Sequence, residues 1–138
     1  MASALILDAE AHNALARARQ RPALALRARA ILQVAHDEQA LVRVPTAVLA
    51  EVCRGGAVDA PIDQLLNGRG ILVVTLDETI ARRAGALLAR RKLGSADAVD
   101  AFVVATAMGF GSAIIATGDP DDMQRLSAGV RHVRVFAI

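Results

Sequence analysis

Four acidic side chains adjoin apolar runs in this sequence: Asp8 after "LIL", Glu51 inside "TAVLAEVC", Asp100 before "AFVVATA" and Asp119 after "AIIATG". Asp97 and Asp122 each lie three residues from one of them. Carboxylates gathered from distant segments repel, and two of them about 4 Å apart cost about 4 kcal/mol at an effective dielectric of about 20. Such a group either shares protons or takes up a divalent cation, and at neutral pH the cation is the more favourable solution. An all-oxygen donor set favours Mg²⁺ or Mn²⁺ over zinc. A hard cation that keeps its waters can activate one of them and stabilise charge on a phosphodiester oxygen. The chemistry expected is hydrolysis of a phosphate ester.

Each acid also has a local use. Asp8 and Asp119 stand where helix N-caps stand, and Pro120 suits a first helical position. Asp97, two residues after a Ser95 cap, suits the positive end of a helix dipole. Glu51 and Asp100 resist this account. Only Arg54 is near Glu51 as a counter-charge in an otherwise apolar helix, where a buried acid is destabilising. Asp100, read as lying beyond the first turn of its helix, is too deep to cap.

Whether these groups meet depends on the elements that carry them. Short β-branched or leucine-rich runs at Leu5–Leu7, Leu41–Val44, Ile71–Val74, Ala113–Ala116 and His132–Phe136 read as strands. Helix-favouring segments cover about 10–18, 23–37, 46–54, 61–67, 77–92 and 96–108. Strands alternating with helices predict an α/β fold with a parallel sheet covered on both faces. Strands one, three and four, apolar throughout, are expected to be buried on both faces, while the alternation in "HVRVF" marks strand five as an edge. Ligands in such sheets bind beyond the carboxyl ends of the strands. Asp8 follows strand one, the Glu51 helix follows strand two, and Asp119 follows strand four. With Asp97 and Asp100 at the start of the helix before strand four, the acids are expected to converge on one crevice.

The 138 residues, 54% of them apolar, suffice for one domain spanning 1–138. No apolar run approaches the roughly 18 residues of a membrane span, and Leu5-Ile6-Leu7 is shorter than the core of about 7 that a signal peptide needs. A cytoplasmic protein with no membrane partner is expected. Cys53 is the single cysteine, so no internal disulfide forms, and His12, His36 and His132 are too scattered for a zinc motif. "GFGSA" precedes a strand and is a turn, not a phosphate cradle, and no Walker A sequence occurs. A phosphoacceptor of the receiver kind would use Asp77, which reads as a helix cap, and a lysine near strand five, whereas the only lysine is Lys92. The net charge is +2, with arginines concentrated in Arg17–Arg29 and Arg82–Arg91, which read as solvated helix faces. Without Trp or Tyr and with three Phe, the chain offers no stacking platform for single-stranded bases.

Five ordered blocks, "LILDAEAHNALA", "VPTAVLAEVCRGG", "LDETIARRAGALLARR", "SADAVDAFVVATA" and "IATGDPDDMQRL", resemble the successive motifs of PIN-domain ribonucleases, most closely the VapC-type toxins of bacterial toxin–antitoxin pairs. The likeness runs from about Leu5 to Leu126. It implies a three-layer α/β/α PIN-like domain around a short central parallel sheet and a Mg²⁺- or Mn²⁺-dependent endoribonuclease acting on RNA. It also implies a homodimer and a cognate antitoxin that blocks the site. By the same resemblance Asp8 is the first family acid, Glu51 the helix glutamate, Asp100 the aspartate opening its helix and Asp119 the acid after strand four. Asp97 and Asp122 match acids often beside these, as supporting or alternative metal ligands. Many family members carry a hydroxyl residue shortly after the first aspartate, where this chain has Ala9 and Glu10, which leaves open how Asp8 is hydrogen-bonded and whether Glu10 supplements the site. A non-catalytic PIN-like module that binds RNA or a partner is the alternative.

Overall fold

A computed structural model describes residues 3–68 and 70–138. Strands β1 (Ser3–Leu7), β2 (Leu41–Pro45), β3 (Ile71–Val74), β4 (Ser112–Thr117) and β5 (Val133–Ala137) form one sheet in the order β3-β2-β1-β4-β5. All neighbours pair in parallel. Parallel neighbours need crossovers, and the helices supply them: α1 (Ala9–Ala16) and α2 (Pro22–Asp37), α3 (Thr46–Val52) and α4 (Ala60–Gly68), α5 (Glu78–Arg90) and α6 (Ala98–Ala107), then α7 (Pro120–Ser127). Helix α1 packs with α2 and α4, whereas α6 packs with α5 and α7. The result is the three-layer α/β/α arrangement expected.

The apolar patterning explains the layers. In β1, residues Ala4 to Leu7 are all buried, as a central strand covered on both faces requires. Helix α6 buries Ala101 and Val103 to Ala107, so it is apolar nearly all round, as befits a helix enclosed by its neighbours. Leu5, Ile6, Leu7, Ile115, Met123 and Leu126 are among the fully buried side chains of the core. Each contributes about 1.5–3 kcal/mol relative to an exposed position.

Strand β3 departs from its expected burial. It lies at the sheet edge, with Ile71 buried but Leu72 56% exposed and Val73 also exposed. The apolar run reads as a two-face strand, but α4 packs on it and, among the described residues, no further strand pairs with its outer side. Strand β5 is the other edge, as its alternation indicates. Among the described residues no helix is long and apolar enough to cross a membrane.

Candidate active site

Strands β1 and β4 are neighbours, yet the chain leaves β1 toward β2 on one side and β4 toward β5 on the other. That divergence opens a crevice at their carboxyl ends. Asp8 sits there, directly after β1. Its amide donates to the Ala116 carbonyl at 3.2 Å, continuing the pairing of Leu7 with Ala116. Its Oδ1 accepts the Ala11 amide at 2.8 Å, so Asp8 does cap α1. The cap does not exhaust it. The side chain is buried, 6% exposed, and that burial pushes its pKa up to about 6 even though the Ala11 amide, the Thr117 hydroxyl and the Gly118 amide all favour the charged form.

Asp100 enters from α6. A 3₁₀ turn over Ser95–Asp97 precedes that helix, which starts only at Ala98. Asp100 is therefore in the first turn, not beyond it, and Ser95 makes no side-chain cap bond. The tighter 3₁₀ spacing moves the boundary that the sequence pattern places earlier. The helix dipole at this position favours an anion, yet the Asp100 pKa is also raised to about 6. Burial is the largest cause, followed by the charges of Asp8, Asp119, Glu51 and Asp122. Four of the acids named from sequence thus act on Asp100, and they come from three separate segments: the end of β1, α3 and the start of α7.

Asp100, Asp119 and Asp122 each offer a carboxylate oxygen within 4.8 Å of the other two. Asp119 occupies the N-cap position of α7, but its side chain makes no cap bond. Its pKa is raised, chiefly by a hydrogen bond shared with the Asp122 carboxyl. Glu51 is on the last turn of α3, and it is exposed to solvent instead of enclosed by its apolar neighbours. Asp97 takes the N-cap position of α6 and is neither within the cluster of three nor among the charges acting on Asp100.

Thr117 is a site residue that the motif reading passes over. Besides facing Asp8, its Oγ1 accepts the Asp119 amide at 2.8 Å, tying the two acid-bearing junctions together. The signal was a hydroxyl residue two positions before Asp119 at a strand end. Glu10 pairs with Arg21 at 2.8 Å, and its charge also acts on Asp8. It lies over Gly118 so closely that a Cβ there would sit 1.5 Å from its Oε2.

Among the described residues the ion pairs are Arg21–Glu10, Arg82–Glu78 and Arg125–Asp122. None engages Asp8, Glu51, Asp100 or Asp119. Among the described residues the crevice therefore carries negative charge that is ion-paired only at Asp122, and its donors are all oxygen. The residues fit a hard divalent cation. Histidine takes no part: His12 is fully buried in α1, and His132 Nε2 meets the Met108 carbonyl at 3.0 Å.

Comparison with known families adds one match. The model of the PIN domain matches residues 5–129. No curated protein matches the chain.

Proposed function

The chain belongs to the PIN domain family, whose members are typically metal-dependent nucleases, and on that premise we propose that it is an endoribonuclease acting as the toxin of a toxin–antitoxin pair. The observation that carries the catalytic part is the set of carboxylates at the ends of β1 and β4, of which, among the described residues, only Asp122 is ion-paired. Asp8, Asp100, Asp119 and Asp122 would hold Mg²⁺ or Mn²⁺. When bound, such an ion neutralises charge on phosphate oxygens and acidifies water.

The chain's own residues supply position. The Ala11 amide clamps one Asp8 oxygen, so the carboxylate presents the other in a fixed direction. The Thr117 hydroxyl, by holding the Asp119 amide, sets the start of α7 and with it Asp119 and Asp122. Exposed Glu51 at the rim accepts a hydrogen bond from the attacking water or a ribose hydroxyl. Water then adds to phosphorus in line with the departing ribose oxygen, giving its proton to Glu51 or to solvent, and the P–O bond to that oxygen breaks as the oxygen takes a proton from solvent.

The toxin role, a cognate antitoxin that covers the crevice and a cytoplasmic setting rest on the likeness of the ordered motif blocks to VapC-type toxins. A homodimer is supported by the apolar edge at β3, where Leu72, Val73 and Leu76 are exposed. Purified protein incubated with mixed cellular RNA, with Mg²⁺ or a chelator, tests the reading at single-nucleotide resolution. Cleavage that needs both the metal and Asp100 is expected. Growth arrest that survives Asp100→Asn would replace it with a module that only binds RNA or a partner.

A further inference from the structure

Beside the acids, a groove of about 420 Å³ is lined by Arg17, Arg21 and Arg54 together with Asn13 and two carboxylates, Glu10 and Glu51. Its arginines come from three places in the fold: just past α1, just before α2 and just past α3. They are held in place, Arg21 by an exposed ion pair with Glu10 at 2.8 Å. Arg17 donates to Asn13 Oδ1 at 2.6 Å and to the Val58 carbonyl at 3.0 Å. Arg54 donates to the Ala50 and Cys53 carbonyls at 3.3 and 2.6 Å. The loop after α3 is itself fixed, because Asp59 accepts the Arg54 and Gly55 amides at 2.8 and 2.9 Å, and Gly55 and Gly56 take φ of 91° and 65°, where glycine is favoured. A guanidinium has more donors than these anchors use, so the forks are oriented with N–H groups left for a ligand.

Glu51 connects this groove to the crevice. It lines the groove and is also one of the charges acting on Asp100, so the two spaces adjoin. Among the described residues no aromatic side chain lines the groove. A ligand here is met by planar cationic forks and amides, without stacking, which suits the phosphates of a nucleic-acid strand more than its bases.

We propose that this groove is a subsite for the RNA sugar-phosphate backbone flanking the scissile bond, gripped by Arg17, Arg21 and Arg54. It rests on the nuclease reading above and adds to it the location of the strand. An acidic peptide could satisfy the same forks, but continuity with a phosphodiester-cleaving crevice favours RNA.

Binding is measured by fluorescence anisotropy in full-length Asp100→Asn protein, so that cleavage does not intervene, with a random-sequence single-stranded RNA of about 12 nucleotides. Arg17→Gln combined with Arg54→Gln is expected to weaken binding about tenfold and to reduce the slope of log K against log salt by about 1.4, or about 0.7 per lost phosphate contact. Lysine at both positions is expected to restore the slope but not the full affinity, since the fork is lost. Arg27→Gln with Arg29→Gln, exposed on α2, serves as the control and is expected to change affinity by less than about twofold. Should Arg17→Gln lower the Tm, Arg21→Gln with Arg54→Gln, both exposed, reads the same effect. Unchanged affinity and slope in the groove variants, or an equal loss in groove and control pairs, overturns the proposal. So does a groove variant that spares RNA but abolishes binding of a polyglutamate peptide. RNA left intact by the wild type in Mn²⁺, with the groove variants still weakening binding, sinks the nuclease reading and leaves the groove standing.

Discussion

Two aspartates begin helices in the same way, and only one of them stands at the crevice. Asp8 Oδ1 accepts the Ala11 amide and Asp77 Oδ1 accepts the Ile80 amide, both at 2.8 Å and both three residues on. Asp8 follows the central strand β1, where it is buried and other acids from α3, α6 and the β4–α7 junction surround the crevice. Asp77 follows the edge strand β3 and is exposed, with the Glu78–Arg82 pair beside it. The local motif is shared, so the strand's place in the sheet decides what the carboxylate is for.

The sharpest way to break this comparison is to remove charge while keeping each cap, since Asn caps as well as Asp. Asp8→Asn is expected to lower the rate of RNA cleavage in Mn²⁺ about a hundredfold or more, while Asp77→Asn leaves the rate within about twofold; equal losses would erase the distinction. A second difference lies in what the two helices bury. Helix α5 buries Ala84 and Leu87, but α1 buries His12 with both ring nitrogens lacking a protein partner. Burial lowers the His12 pKa from 6.5 to about 4. The unfolded chain therefore takes the proton first, and the stability present above pH 6.5 is lost as pH falls toward 4, by about 3 kcal/mol. His12→Met should flatten urea-denaturation stability across that window, and an unaltered slope would show that His12 is not its source.

Asp100 gives the opposite sign. Its folded pKa of about 6 lies above the ordinary 3.8, so its contribution is full below 3.8 and is lost as pH rises through 6. In chelator, Asp100→Asn is expected to be more stable than wild type above that window by about 1 kcal/mol, a figure discounted because the group is only half-buried. Mg²⁺ should then raise the Tm of wild type and leave that of Asp100→Asn nearly unchanged. The smallest effect is expected at Asp77→Ala, which loses the α5 cap at a cost of about 0.5–1 kcal/mol in thermal unfolding with no change in cleavage.

The sheet was legible because its strands are short apolar runs between amphipathic segments, and β3 falls at Ile71–Val74 as the pattern places it. Convergence of Asp8, Glu51, Asp100 and Asp119 followed from one rule about strand ends, needing only the order of elements. What the pattern did not carry was set by tertiary packing. Leu72 and Val73 look like core residues, but edge position exposes them. The pattern leaves His12 open between a surface and a packing role, and it is packing that the fold selects, because α2 and α4 close over the helix that bears it. The 3₁₀ turn before α6 shifts Asp100 by part of a turn, a change too local for periodicity to register. Arg17, Arg21 and Arg54 form a groove because α1 and α3 meet, whereas the one-dimensional pattern shows Arg17 and Arg21 as solvated charges and Arg54 as a cation near Glu51.

The overlap of Gly118 with Glu10 makes these two positions a genetic unit. Any side chain at 118 must evict the Glu10 carboxylate, which sits 1.5 Å from where a Cβ would go, and eviction also unseats its bond to Arg21. Gly118→Ala should therefore be harmful alone and partly rescued by Glu10→Ser. A single-position mutational scan would record a rigid glycine and a dispensable glutamate, and would miss that the tolerance of one is conditional on the identity of the other.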